Sequence, residues 1–215
     1  MPLMDDQLAG RLADFVEAGG VLLVTARSAI RDRNNQVRPS PLPGPLAALC
    51  GLTVEEFGKI EPGELSLSTE AVRIPSGAGY EILNPASAEV LGKWDAPLDG
   101  SPHAATGQPA CCVRRAGEGE VVYLGTYLTA ENAPAVFDLL LARCDIRPLA
   151  ECEPGVEVTR RRDDRRAFIF VLNHHPTVQV VTHLPKGTDL VAQKPCQGRL
   201  ELAPWEVAVI REEGT

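Results

Sequence analysis

The sequence predicts an α/β protein: a doubly wound sheet followed by a small antiparallel β-sandwich. Three observations carry this. Within the first 25 residues an amphipathic helix, a Gly-Gly break and a continuous apolar strand follow one another. From residue 148 onward, short strand-like runs recur with no helical pattern between them. The chain has 215 residues, enough for one large or two small domains at ~100–200 residues each. A closed eight-fold βα barrel takes ~250 residues, so a complete barrel with anything attached does not fit.

The first helix spans about Asp5 to Ala18, because Leu8, Leu12, Phe15 and Val16 recur at helical spacing. Asp5 or Asp6 can cap its first amide groups. Gly19-Gly20 ends it, since glycine accepts the left-handed conformation a helix end requires. Val21-Leu22-Leu23-Val24-Thr25 follows at once. It reads as a parallel strand covered on both faces. Helix, glycine break and buried strand make one unit of a doubly wound sheet.

A polar loop runs from Ala26 to Pro45, and a short helix from Pro45 to Leu49 ends at Gly51. Between Thr53 and Gly107 the pattern is weaker. Val54–Phe57 and Leu91–Trp94 are strand-like. Ala110–Arg114 and Glu120–Leu124 form a hairpin about Gly117-Glu118-Gly119. Ala133–Arg143 is a second helix, with Val136, Phe137, Leu140 and Leu141 on one face, Asn132 as its cap and Pro134 in its first turn. Pro148 marks a change of pattern. Val156–Arg162 and Arg166–Leu172 form a hairpin across Asp163-Asp164, and Val178–His183 and Glu206–Ile210 are further strands. Nearly all of the net charge of −8 lies before this boundary. The domains are therefore expected at residues 1–147 and 148–215.

The charge balance excludes a polyanion partner, which needs a basic footprint. Arg160-Arg161-Arg162 with Arg165-Arg166 is interrupted by two aspartates and reads as a solvated hairpin tip, with an anion or partner contact as the alternative. Aromatic residues make up only 5%, which argues against a base- or sugar-stacking platform. No apolar run approaches the ~18–20 residues of a membrane span, and the N-terminus has no signal-peptide pattern. No nucleic-acid or membrane partner is expected, and a cytoplasmic location is the default. Six cysteines without a CxxC pair read as free, mostly buried thiols, and adjacent Cys111 and Cys112 point to opposite faces of a strand.

No catalytic constellation emerges. The dinucleotide, phosphate-loop, GxSxG, GxCxG and HExxH patterns are all missing. His174-His175 diverge at a strand end, and His103 lies alone in a Gly/Pro-rich loop. Glu55-Glu56 and Glu212-Glu213 read as solvated surface, because spacing alone cannot set two carboxylates across a sugar. No cofactor and no metal are expected. The candidate functional residues lie in the long loop: Arg27, Ser28, Arg31, Asp32, Asn34 and Asn35. Loops beyond the ends of parallel strands are where such sheets place ligands or partners, and a loop of about twenty residues exceeds a simple connection. Three readings stand: a self-bonded loop, a contact with another domain or subunit, and direct catalysis.

Leu12-Ala13-Asp14-Phe15-Val16-Glu17-Ala18-Gly19-Gly20, then Arg27 to Asn35, then Pro41-Leu42-Pro43-Gly44-Pro45-Leu46, resembles the middle domain of the family 42 glycoside hydrolases, the bacterial β-galactosidases. Gly107-Gln108-Pro109-Ala110 and the run Gly117 to Thr126 resemble the end of that domain. Gly155 to Arg161 and Phe168 to His174 resemble the family's small C-terminal β-domain. The resemblance implies a middle domain similar to class I glutamine amidotransferases, of flavodoxin-like type, that mediates trimerisation. It implies that the catalytic glutamates and metal-binding cysteines lie on a barrel outside this sequence. Pro2-Leu3-Met4 resembles the tail of a strand-to-helix segment, which implies that strands of the middle domain also lie outside it. The implied partners are other subunits of a homo-oligomer and the catalytic barrel. Gly125-Thr126-Tyr127-Leu128 falls where an amidotransferase would carry His and Glu, and neither is present. Ala29 and Arg33 depart from the family's more usual Gly and Glu. The leading expectation is a non-catalytic oligomerisation portion of a β-galactosidase. The alternatives are a stand-alone carbohydrate-binding or regulatory partner, and a small amidotransferase-like enzyme using Cys111 or Cys112.

Overall fold

In the computed structural model, which describes residues 3–144 and 146–213, helix α1 (Asp6–Glu17) starts where the Asp5 carboxylate accepts the Leu8 N–H at 2.7 Å. This bond satisfies one of the amides that a first turn leaves unpaired. Ala9 and Val16 are buried, with Leu8, Leu12 and Ala13 packed beside them. Phe15, expected on that face, is 52% exposed. Its ring covers Gly20, where an added Cβ would meet it at 2.3 Å, so it shields the helix end instead of the core. Pro2 of the opening segment lies outside the described residues.

Strand β1 (Val21–Thr25) follows, then after the long loop α2 (Ala47–Cys50), β2 (Leu52–Gly58), β3 (Ser66–Thr69), β4 (Arg73–Pro75), β5 (Tyr80–Pro85), β6 (Glu89–Trp94), β7 (Pro109–Ala116), β8 (Gly119–Leu124) and α3 (Ala133–Leu141). Six strands form one sheet in the order β1-β8-β7-β6-β3-β4, and β2 pairs with β5. The expected doubly wound sheet is corrected here. Only β1 and β8 run parallel; every other neighbouring pair in that sheet is antiparallel. The reason lies in the connections. Parallel neighbours need a crossover of a dozen residues or more, whereas the short turns between β3 and β4 and between β7 and β8 permit only antiparallel return. The result is a mixed α/β unit with a curled sheet: Tyr80 bridges to Thr126, and the Glu81 N–H donates to the Gly125 carbonyl at 2.7 Å, folding β5 against the end of β8.

Apolar side chains fill both faces of this sheet. Leu67, Ile74, Trp94, Cys111, Val122 and Leu124 pack with Val136 and Leu139 of α3. Val24, Leu46, Leu52, Leu83, Cys112, Val121 and Tyr123 pack with α1. The period-two alternation of a strand therefore sends Cys111 and Cys112 to opposite cores. On α3 the buried residues are Val136 and Leu139, while Phe137 and Leu141 are exposed. The expected apolar face is corrected by about one residue. Asn132 also makes no capping bond to α3. It is fully buried, and its amide donates to the carbonyls of Pro75 and Tyr127 at 3.1 and 2.9 Å.

The chain divides into two compact units, Met1–Asp145 and Ile146–Thr215. The second contains β9 (Val156–Arg162), β10 (Ala167–Asn173), β11 (Gln179–Thr182), β12 (Gly187–Asp189), β13 (Lys194–Cys196), β14 (Arg199–Leu202) and β15 (Val207–Glu212). A five-stranded sheet, β13-β12-β15-β10-β9, faces the β11-β14 pair, and all pairings are antiparallel. Ile169, Val171 and Ile210 from one sheet meet Val181 and Leu202 from the other. At the β9–β10 turn, Asp163 accepts the N–H groups of Arg165 and Arg166, both at 2.8 Å. Arg160 pairs with Glu212 at 2.6 Å. Part of the basic run is thus neutralised within the unit.

Candidate functional site

Parallel strands β1 and β8 end side by side, and the residues that leave them line a cleft of about 600 Å³. Ala26 and Arg27 follow β1, and Tyr127 lies just past β8. Phe57 and Gly58 from β2, Lys59, and Ala78 to Glu81 leading into β5 complete the lining. Thr126 fixes one wall. Its hydroxyl accepts the Gly77 N–H at 2.8 Å and donates to the Gly79 carbonyl at 2.7 Å. Gly79 has to be small there, because a Cβ would sit 2.8 Å from the Tyr127 ring.

Glu81 forms the floor, and only 1% of it is exposed. One carboxylate oxygen accepts the Arg27 N–H at 2.9 Å and the other accepts the Tyr123 hydroxyl at 2.8 Å. Burial pushes its pKa up; those two bonds and the Arg27 charge oppose the shift. The Tyr123 hydroxyl is likewise pushed well above its ordinary range, by burial first and by the Glu81 charge second. The backbone bond from Arg27 matters because Arg27 sits at φ 62°, a left-handed conformation that non-glycine residues seldom adopt. Its guanidinium carbon lies over the Phe57 ring, 4.1 Å from the ring centre. Tyr80 is held edge-on by Trp94 and His103, and its hydroxyl donates to Glu56 at 2.9 Å.

The six loop residues expected to act together fall into two groups. Arg27 lies on the cleft, followed by Ser28, whose N–H donates to the Thr25 carbonyl at 3.3 Å. Ala29, at φ 57° and fully buried, turns the chain away. Arg31, Asp32, Asn34 and Asn35 then build a separate hairpin. Arg31 bridges to Val37 and donates to Asn35 Oδ1 at 3.1 Å, and Asp32 accepts the N–H groups of Asn34 and Gln36 at 2.8 and 3.0 Å. Arg38 ties the base, donating to the Met4 carbonyl at 2.8 Å and pairing with Asp6 at 2.9 Å. This half of the loop is self-bonded, and its polar tip is in solvent.

Sequence reasoning missed Phe57, Lys59, Tyr80, Glu81 and Tyr127. One signal was available: Glu81 stands inside the apolar run Tyr80-Glu81-Ile82-Leu83, where an acid on a buried strand needs a partner. The Cys111 and Cys112 thiols are both pushed up to about 12, chiefly by burial. Both are also buried, which disfavours the thiolate that a nucleophile needs. Among the described residues no group of three or more His, Cys, Asp or Glu side chains could hold a metal ion. His174 meets Glu157 at 3.4 Å, and His175 hydrogen-bonds the Pro154 carbonyl; both serve the turn. Among the described residues no helix is long and apolar enough to cross a membrane.

Residues 1–147 match the family model described as the β-galactosidase trimerisation domain, and residues 155–212 match that of the β-galactosidase C-terminal domain. The chain belongs to the family 42 β-galactosidases. A β-galactosidase of Arthrobacter is 32% identical over 211 residues, covering 97% of this chain and 28% of the relative. The β-galactosidase BgaB of Geobacillus is 31% identical over 221 residues, covering 94% of this chain and 30% of the relative. The chain thus spans under a third of the length of the curated relatives it matches. The crystal structure of a Bacillus circulans sp. alkalophilus β-galactosidase superposes with a TM-score of 0.87 at 22% identity, over 99% of this chain and 32% of that one. A β-galactosidase from the haloarchaeon Halorubrum lacusprofundi gives 0.78 at 26% identity, over 99% and 30%. What the chain shares with these enzymes is their trimerisation and C-terminal domains.

Proposed function

We propose that this chain serves as the non-catalytic, oligomerising portion of a β-galactosidase whose parent enzyme hydrolyses terminal non-reducing β-D-galactosides. In this reading residues 1–147 are the trimerisation domain and residues 148–215 the C-terminal β-domain. The observation that carries it is the match of the trimerisation domain to residues 1–147. The site chemistry supports it. Glycosidases work with two carboxylates flanking the bond, yet among the described residues Glu81 is the one carboxylate lining the cleft. The other buried acids are engaged: Glu120 with Arg143, and Asp189 with the Val191 N–H. The α1–β1–β8 corner, with its parallel pair, supports an amidotransferase-like origin for the first unit, and a cytoplasmic location belongs to the same reading.

The exposed hairpin of Arg31, Asp32, Asn34 and Asn35 is the proposed contact with another subunit or with the catalytic barrel. Bonds among its own residues shape the tip, and Met4 and Asp6 anchor its base, so it offers a fixed polar surface. Arg27 and Ser28 are assigned to the cleft and its support. Asn34→Arg tests this, because only the Asn34 backbone enters the hairpin's bonds. Light scattering should show the trimer mass of the unaltered chain falling in the variant. A trimer that keeps its mass and stability would refute the hairpin's role. Turnover of a chromogenic β-galactoside by the isolated chain, abolished by replacing one of its own acids, would refute the non-catalytic reading itself.

A further inference from the structure

We propose that the cleft at the ends of β1 and β8 binds a small organic carboxylate with a flat or cyclic body. The carboxylate meets Arg27 and Lys59, and the body lies against Phe57, Tyr80 and Tyr127. This does not depend on the oligomerisation reading.

Four observations converge on it. The first is place and size. The cleft lies beyond the C-terminal ends of adjacent parallel strands, where α/β sheets receive ligands. Its volume of about 600 Å³ falls within the ~300–1,000 Å³ of small-molecule sites. The second is unspent hydrogen-bonding capacity. The Arg27 guanidinium forms no hydrogen bond among the described residues; it lies over the Phe57 face, and its charge acts on Glu81 from a distance. Lys59 is exposed and makes no ion pair among them either. A guanidinium over a ring face can still offer N–H groups to a ligand, and its fork matches a carboxylate in bidentate fashion.

The third observation is strain with a holder. Arg27 is kept at φ 62° by the bond from its N–H to buried Glu81. Strained residues persist where the surroundings over-determine them, and they gather at ligand sites. Here the strain delivers the guanidinium to the cleft wall. The fourth is charge. The acids near the cleft are already engaged: Glu81 by the Arg27 N–H and the Tyr123 hydroxyl, and Glu56 by the Tyr80 hydroxyl. Arg27 balances part of the Glu81 charge, so among the lining residues Arg27 and Lys59 against Glu81 leave one net positive charge for an incoming anion. Apolar walls of Ala26, Ala78 and Gly79 over a carboxylate floor favour a monoanion with an apolar body over a compact dianion.

The test is titration calorimetry on the full chain with four probes: benzoate, D-galacturonate, D-galactose and inorganic phosphate. At least one carboxylate should bind with a Kd below about 1 mM, the range a ligand of this size can reach. Benzoate and galacturonate separate an aromatic from a pyranose body. Galactose and phosphate should give flat titrations. Arg27→Gly should weaken carboxylate binding at least tenfold. Glycine adopts φ 62° without strain, so this variant keeps the fold, which circular dichroism verifies. Lys59→Ala, at an exposed position, should weaken binding several-fold and gives an independent reading. The proposal is overturned if both carboxylates are silent at 10 mM (on the order of ten times that ceiling). It is equally overturned if phosphate or galactose binds as well, or if binding survives Arg27→Gly. A fall in oligomer mass on Arg27→Gly, with no carboxylate binding to the unaltered chain, would give the cleft to an acidic side chain of a second copy instead.

Discussion

Tyr123→Phe removes a single hydroxyl from beneath the cleft, and its cost should depend on pH in a defined sense. That hydroxyl donates to Glu81 at 2.8 Å, with both residues buried to 1% exposure. Burial raises the Glu81 pKa above its ordinary value of 4.5. Between 4.5 and the raised value, the folded chain holds a proton that the unfolded chain has released. The Glu81 contribution to stability is therefore complete below about pH 4.5 and is lost as pH rises through the folded pKa. Above it the carboxylate is ionised, and each donor counts for more. A hydrogen bond to a charged group contributes ~1.5–3 kcal/mol, against ~0.5–1.5 for a neutral one. Tyr123→Phe should thus cost about 1 kcal/mol at pH 4, rising to about 2 kcal/mol once the pH exceeds the raised folded pKa of Glu81. Urea unfolding followed by Trp94 fluorescence reads this directly. That indole is buried and donates to the Glu81 carbonyl at 2.9 Å, whereas Trp205 is 64% exposed and changes less. Glu81→Gln should abolish the difference between the two pH values. A loss that is equal at both, or larger in acid, would refute the assignment of Glu81 as a buried, hydroxyl-supported carboxyl.

Thiol labelling of the native chain should modify exposed Cys152 first and half-buried Cys144 more slowly. Cys50, Cys111, Cys112 and Cys196 should stay silent until denaturant is added; fast reaction at Cys111 or Cys112 would revive a nucleophilic role. Gly119→Ala should destabilise the first unit by about 3 kcal/mol or more, because its Cβ would meet the carbonyls of Gly20 and Val16 at 2.2 Å. A melting temperature unchanged within error would contradict that packing. Glu120→Gln leaves the largely buried Arg143 without its charge partner, an ion pair at 2.5 Å, and should cost about 3 kcal/mol in urea unfolding. Arg143→Met in the same background should recover part of it.

Legibility in the sequence followed the range of the interactions. Helix α1 and strand β1 were readable because their signals are local: the Asp5 cap, the spacing of Leu8, Leu12 and Val16, and the glycines that stop the helix. The β7–β8 and β9–β10 hairpins were readable for the same reason. Strands β3, β4 and β5 were not. Leu67 of β3 pairs with Trp94 of β6, and Val54 of β2 with Leu83 of β5, so what makes β3 and β5 strands lies some thirty residues away, and β4 is a strand by pairing with β3 once that is in place. Sheet direction was misjudged because an apolar run such as Val21–Thr25 signals burial on both faces, not how many neighbours run parallel. The candidate loop was visible as a dense polar stretch, but its division at Ala29 was not. That turn depends on Glu81 holding the Arg27 backbone from 54 residues away.

This division makes the two parts of the loop separable by mutation. Glu81 makes four bonds to three other segments: the Arg27 N–H past β1, the Tyr123 hydroxyl and Gly125 carbonyl at the end of β8, and the Trp94 indole on β6. Any change at the cleft floor therefore passes into the core and registers as stability before it registers as binding. The Arg31–Asn35 hairpin has the opposite property. Its bonds among Arg31, Asp32, Asn34 and Asn35 are exposed, and exposed polar contacts contribute little to folding. Substitutions there should alter association while leaving unfolding almost untouched. Combining Asn34→Arg with Tyr123→Phe should then give additive effects, within ~0.5 kcal/mol on stability. Coupling beyond that would mean the hairpin and the cleft are one structural element after all.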